Sequence, residues 1–270
     1  MITAYWDALH ESSGRRVALV LLGLAILSAV GFNMLVKVVA LPGGKFNIFL
    51  GNSPLPHSPG MDTAQMVRSL VTQQMGIAGT LWVLGALFAA APLFASALEK
   101  GWLELLFSKG TSRWRIFLGR YLAGATLYAL TFALATFPLA VRLWWTTRVA
   151  IWQIGVAMAL FTLSFSAVLT VGAVASLSQR GASLPILACV AIWMFSPFLT
   201  HRGEMDLWPW VKVAFDWAYR ILPKCSELSD LASAYMKNDH ITAWWPVWST
   251  GVFAVVVLGF TLWSVERKSF

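Results

Sequence analysis

Residues 151–177 read IWQIGVAMALFTLSFSAVLTVGAVASL, with no Asp, Glu, Lys, Arg or His in the run. An α-helix rises about 1.5 Å per residue, and about 20 apolar residues cross the hydrocarbon layer of a bilayer. This stretch therefore reads as a membrane-crossing helix, long enough to tilt or protrude. Runs of the same kind recur at about 17–40, 77–98, 118–141, 184–200 and 247–265. The run at 184–200 is short, opening at Pro185 and ending near Pro197. Backbone polar groups in hydrocarbon must be satisfied within their own segment, which selects helices. A membrane barrel would show short alternating strands instead. The expected fold is an all-α polytopic membrane protein, a single domain over 1–270 with six spans. No internal repeat or inverted-repeat symmetry is visible.

Composition agrees. The 270 residues are 58% hydrophobic and 12% charged, with mean hydropathy +0.69. Soluble domains carry about 25% charged residues, so a soluble enzyme and a disordered chain are poor readings. Fifteen Trp residues suit the membrane–water interface, which accommodates both the ring and the N–H. The net charge of +8 would suggest nucleic acid in a soluble protein. Here it reads as a topogenic signal, and no nucleic-acid partner is expected. Basic residues are densest at Arg15, Arg16, Lys100, Lys109, Arg113, Arg115, Arg120, Arg180, Arg267 and Lys268. That places both termini and the turns at 98–119 and 178–183 in the cytoplasm, in a cell (inner) membrane. The first run is too long for a signal-peptide core and follows Asp7 and Glu11, so it is expected to stay as a span.

Residues 1–16 read as an interfacial helix, with Ile2, Tyr5, Trp6 and Leu9 on one stripe. The external segment 41–76 begins as irregular, Gly- and Pro-rich loop. It then opens a helix at Asp62 and Gln65 that either runs into the second span or breaks at Gly76 and Gly79. The external segment 201–246, with Trp208, Trp210, Trp217, Trp244 and Trp245, is expected to form short helices half-sunk in the interface.

Several chemistries are missing from the sequence. No Asp, Glu or His lies within a predicted span, where such groups usually mark ion or proton paths. Lys37 and Arg120 stand at span ends, where snorkelling suffices. His10, His57, His201 and His240 lack metal-site spacing, so no metal ligand is assigned. Cys189 in a span and Cys225 in a polar loop form no CxxC motif. Gly44-Lys45 lacks the rest of a phosphate loop, and no catalytic or cofactor-binding residue is expected. Close-packing pairs such as Gly119/Ala123, Ala125/Ala129 and Gly172/Ser176 read as helix contacts. Ser164, Ser166 and Thr170 offer a mildly polar wall for a cavity.

One turn carries specific information. It reads EKGWLELLFSKGTSRWR from Glu99 to Arg115. Glu99, Trp102, Leu103 and Leu106 share a helical face, and Gly110 suits a helix end. Thr111 or Ser112 suits the next cap. Composition leaves two readings open, an inert interfacial turn or a rigid knob gripped by a cytoplasmic partner.

This turn resembles that of permease subunits of type-2 ABC (ATP-binding cassette) transporters. Their second cytoplasmic-side turn reads much like E-x-G-T-x-E-L-L-L-S-K-P-x-S-R. Glu99, Gly101, Glu104, Leu105, Leu106, Phe107, Ser108, Lys109, Ser112 and Arg113 stand at matching places, while Trp102 and Gly110 depart from the pattern. The tail Glu266-Arg-Lys-Ser-Phe270 is also similar to the family's short ending. The resemblance implies an N-terminal elbow helix at 1–16. It makes Glu99, Gly101, Trp102, Leu103, Glu104, Leu105, Leu106 and Phe107 a coupling helix seated in a separate ATPase subunit. It implies two ATPase copies binding ATP and Mg, and a second copy of this permease or a similar chain. The chain would then be a non-catalytic subunit of an ABC exporter. Two further readings are a maturation or assembly permease acting on external protein or metal cargo, and a structural membrane subunit without transport.

Overall fold

The computed structural model describes residues 5–7, 16–40, 46–54, 62–96, 112–178, 181, 183–205, 208–239, 241 and 243–267. Six helices among them are long and apolar enough to cross a membrane. They are α1 (Arg16–Leu35), α2 (Thr63–Ser96), α3 (Arg113–Thr147), α4 (Gln153–Ser176), α5 (Ser183–Thr200) and the final helix, Trp245–Arg267. Two shorter helices, α6 (Pro209–Ile221) and α7 (Cys225–Lys237), stand between α5 and that last one, which is α8. The chain thus has the helical architecture of a multi-pass membrane protein.

The first expected span is too long by its last turn. Residues Val36–Ala40 leave the helix and form strand β1, paired antiparallel with β2 (Phe46–Leu50), which pairs with β3 (Ser53–Pro54). Val36, Val38 and Val39 are β-branched and stiff at χ1, which favours a pleated surface. Gly51 and Asn52 make a two-residue turn, Gly51 at φ +66, a conformation that glycine adopts without steric cost. The Gly51 N–H donates to Leu35 O at 2.7 Å, tying the turn to the end of α1. The expected irregular loop at 41–60 is therefore a small sheet where it is described. Its signal was the Gly-Asn pair followed two residues later by Pro54.

The second segment runs through as one helix of 34 residues, unbroken at Gly76 and Gly79. Its start is capped as the sequence suggests: Thr63 N–H donates to the Asp62 carboxylate at 2.7 Å, and Asp62 N–H to Gln65 Oε1 at 3.3 Å. At about 1.5 Å per residue, α2 and α3 each reach about 50 Å and project beyond a bilayer core.

These two long helices make the most extensive contact in the fold and run antiparallel. At one end Arg120 meets Leu93; toward the other, Gln74 Nε2 donates to Ala135 O at 2.9 Å. Gly124 allows the close approach, since a Cβ there would lie 2.9 Å from Ala90 Cβ. Ala135 stands one turn before Pro138, whose ring and missing N–H disturb the local helix ladder. The carbonyl that loses its helical donor there is Leu134 O, so Gln74 adds a bond from α2 beside the interruption. With α4, these helices form an inner trio, each at least half buried over its most apolar window; α1, α5 and α8 are about a fifth buried.

The segment 201–246 departs most from expectation. Helix α6 lies on the outside, with Trp210, Val213, Trp217 and Ile221 exposed along one stripe. Helix α7 does not float at an interface. It packs against α4, α2 and α5, burying Cys225, Leu228, Leu231, Ala232 and Met236. Its last turn brings the Tyr235 ring to 5.8 Å from Trp152, at the start of α4. Its first residue reaches Ser164, halfway along α4. The α6–α7 pair is a hairpin joined at Leu222–Lys224 whose α7 arm alone enters the bundle, α6 staying outside.

Candidate functional site

The ATPase-facing residues named from the sequence, Glu99, Gly101, Trp102, Leu103, Glu104, Leu105, Leu106 and Phe107, lie outside the described residues. What the structure gives is the pair of helix ends that hold them. Arg120, two turns into α3, is 1% exposed and donates through Nη1 to Leu93 O in the last turn of α2. The sequence reading of Arg120 as a snorkelling residue is thus corrected: its charge turns inward and binds a backbone carbonyl of α2. Beside it the Phe94 and Phe117 rings pack at 5.4 Å. Trp114 N–H donates to Glu266 Oε2 at 3.4 Å, joining the start of α3 to the end of α8. Ser112 occupies the cap position of α3, but its hydroxyl makes no capping bond.

Of the expected elbow, Tyr5, Trp6 and Asp7 are described and helical. The Tyr5 hydroxyl bonds Thr126 Oγ1 at 3.2 Å, which ties this segment to α3.

A second polar assembly lies at the buried tip of the α6–α7 hairpin. The first N–H groups of a helix need acceptors, and Lys224, at the cap position of α7, offers no side-chain acceptor. Other helices supply them. Ser226 N–H donates to Ser196 Oγ of α5 at 2.9 Å, and Lys224 N–H to Thr250 Oγ1 of α8 at 3.1 Å. The Cys225 thiol points at Ser164 O of α4, 3.9 Å away. Around the tip, Arg202 bonds Asp216 at 2.9 Å and lies 3.5 Å over the Tyr219 ring. Lys224 Nζ donates to Tyr219 O at 3.2 Å, with its ammonium 4.6 Å from the same ring. Burial raises the Tyr219 hydroxyl to about 12, aided by Glu227 and opposed by Arg202. Burial also pushes the Asp230 carboxyl up from its ordinary range, with His201 opposing.

Ser164, Ser166 and Thr170 are not brought together. Ser164 is buried and faces α7 through its carbonyl. Ser166 accepts from the Tyr121 hydroxyl of α3 through its carbonyl at 3.2 Å. The Thr170 hydroxyl turns back to Ala167 O of its own helix at 2.7 Å. Cys225, expected in a polar loop, is buried, as is Cys189, and both are free thiols. No group of three or more His, Cys, Asp or Glu suited to a metal ion occurs among the described residues.

Sequence reasoning missed the tip residues Ser196, Lys224 and Thr250. Their signal was a Pro-Lys-Cys step, at Pro223 to Cys225, between two amphipathic stretches; nothing local announced that distant hydroxyls would cap it. No family model matches the chain, and none of the curated proteins compared with it matches.

Proposed function

We propose that this chain is the membrane-spanning subunit of an ATP-driven ABC exporter. It receives force at residues 99–107 from a separate ATPase that binds ATP and Mg, and it works beside a second permease copy. The observation that carries the reading is the Glu99–Arg113 stretch, with its acidic and apolar positions in the order of the type-2 permease turn. Two features support it. The stretch joins the two most extensively packed helices, so a push on it would be delivered to the inner trio. The interiors of the six spans also carry no Asp or Glu that would serve as an ion path of their own. In this reading both termini and the 99–107 turn are cytoplasmic, and the β1–β3 sheet and the α6–α7 hairpin face outward.

The partner contact is expected to be apolar at Leu105 and Leu106 and charge-paired at Glu99 or Glu104. Burying one leucine contributes about 1.5–3 kcal/mol, enough for a tenfold change in occupancy. The experiment is recovery of the ATPase with the tagged chain from membranes of matched expression. Leu106→Asp abolishes recovery, and Glu104→Ala keeps the chain in the membrane while lowering transport-linked hydrolysis. Undiminished recovery with Leu106→Asp would refute the reading and return the segment to an inert turn.

A further inference from the structure

The link from α3 to α4 carries an arginine where glycine is the usual residue. Arg148 closes α3 at φ +58 and ψ +15, the left-handed region, with its N–H donating to Trp144 O at 2.8 Å. A Cβ is strained in that conformation, which is why glycine prevails at such helix ends. Val149 N–H donates to Thr147 Oγ1 at 3.4 Å and fixes the turn further. The Arg148 side chain is exposed and makes no ion pair or hydrogen bond among the described residues; its guanidinium lies 5.3 Å over the Trp145 ring. A charge kept at a strained position without a carboxylate in its own chain points to an anion outside it.

Beside this turn is an apolar cleft of about 380 Å³, within the range of small-ligand sites. Phe137, Val141 and Trp144 of α3 form one wall, and Ile151, Trp152 and Ile154 the other. Arg148 stands in the short link between two lining residues, Trp144 and Ala150, and is the only charged residue from Leu143 to Ile154. The one charge of the turn is therefore at the rim of the cleft. At about 1.5 Å per residue the 24 residues of α4 cover about 36 Å, slightly more than the roughly 30 Å hydrocarbon layer. The first turn of α4 thus stands where acyl chains meet headgroups. Trp144, Trp145 and Trp152, all exposed, mark the same level, as interfacial tryptophans do.

We propose that this cleft holds one phospholipid of net negative headgroup, with an acyl chain between the two apolar walls and its phosphate on Arg148. A guanidinium pairs with phosphate through two parallel N–H donors, and the Trp145 face behind it favours the cation. The ammonium of a zwitterionic headgroup would compete for the same phosphate, so a headgroup without one is preferred. The site depends on the chain lying in a membrane and not on the transporter reading.

The test is native mass spectrometry of the full chain in mild detergent, titrated with phosphatidylglycerol or with phosphatidylethanolamine of the same acyl chains. The wild-type chain takes up one phosphatidylglycerol, half-saturating at a concentration about five-fold or more below that for phosphatidylethanolamine. Arg148→Gly suits the left-handed backbone, so it leaves or raises the melting temperature in lipid-free detergent and abolishes the preference. Arg148→Lys keeps the charge and most of the preference. Ala150→Phe fills the cleft and weakens uptake of both lipids by about five-fold or more. Arg115→Ala removes an exposed arginine that lies over Trp114 at the other end of α3, and changes neither lipid. Equal affinity of the wild-type chain for the two lipids overturns the site, as does a loss with Arg115→Ala as large as with Arg148→Gly. A lipid-free dimer that Ala150→Phe splits into monomers also overturns it, because the occupant is then a second copy of the chain.

Discussion

Removing the hydroxyls that cap α7 from other helices should loosen that helix alone. Ser196→Ala deletes the acceptor of Ser226 N–H, and Thr250→Val deletes the acceptor of Lys224 N–H at nearly constant shape. Ser196 is 3% exposed and Thr250 fully buried, so water does not readily replace either oxygen. A lost helix cap costs about 1 kcal/mol, and a buried donor left without an acceptor costs about 1–3 kcal/mol. Each single variant should therefore destabilise α7 by about 1–2 kcal/mol, near tenfold in the closed-to-open ratio. The two sites share one helix end, so the pair need not be additive. The assay is amide hydrogen exchange by mass spectrometry in nanodiscs, comparing peptides from 225–237 with peptides from 63–96. Exchange in α7 rises about tenfold per variant, while α2 holds its protection. Ser229→Ala is the control, because its hydroxyl bonds only within α7, to Cys225 O at 3.2 Å. Unchanged protection of α7 in both variants, or equal loss with Ser229→Ala, would refute the capping argument.

Asp230 yields a pH-dependent expectation. Burial raises its pKa in the folded protein, so its contribution to stability is complete at low pH and is lost as pH rises past its ordinary value of 3.8. Asp230 keeps an exposed flank on α7, so Asp230→Asn should raise the melting temperature only slightly at pH 7 and leave it unchanged at pH 3; equal shifts at both would contradict this. At Gly124 a side chain collides with Ala90 and Leu169, so Gly124→Leu should cost about 1–3 kcal/mol by prising α3 from α2. Gly155 has open space at its Cβ position. Gly155→Ala should therefore be neutral or slightly stabilising in a thermal melt, and comparable losses at both glycines would show that packing is not the cause.

The spans were legible because hydrocarbon imposes one rule on every residue in it. An uncharged run of sufficient length has little alternative to a helix, and 151–177 coincides closely with α4. The cap at Asp62 and Gln65 was legible for a similar reason, being local and chemically specific. Readings failed where distant parts of the chain decide. Val36–Ala40 is as apolar as the helix before it, and its strand state depends on pairing with Phe46–Leu50. Helix α7 resembles a surface helix in composition, with Glu227, Asp230 and Lys237 along it. Its burial is set by four other helices. Arg120 looked like a span-end cation; that it faces Leu93 follows from how α2 and α3 meet.

The capping of α7 also constrains how the chain can be built. Its acceptors come from α5, which precedes it, and from α8, which follows it. During synthesis the hairpin tip, with Lys224 on it, emerges before Thr250 exists. An isolated charge and bare amide groups are poor candidates for early entry into lipid. α7 finds α4, α2 and α5, and the Ser196 acceptor, already made, whereas the Lys224 N–H gains its acceptor only when α8 inserts. The order of elements along the chain thus leaves one bond to the last step of maturation: a chain stalled before residue 250 would hold α7 with its Lys224 N–H still bare.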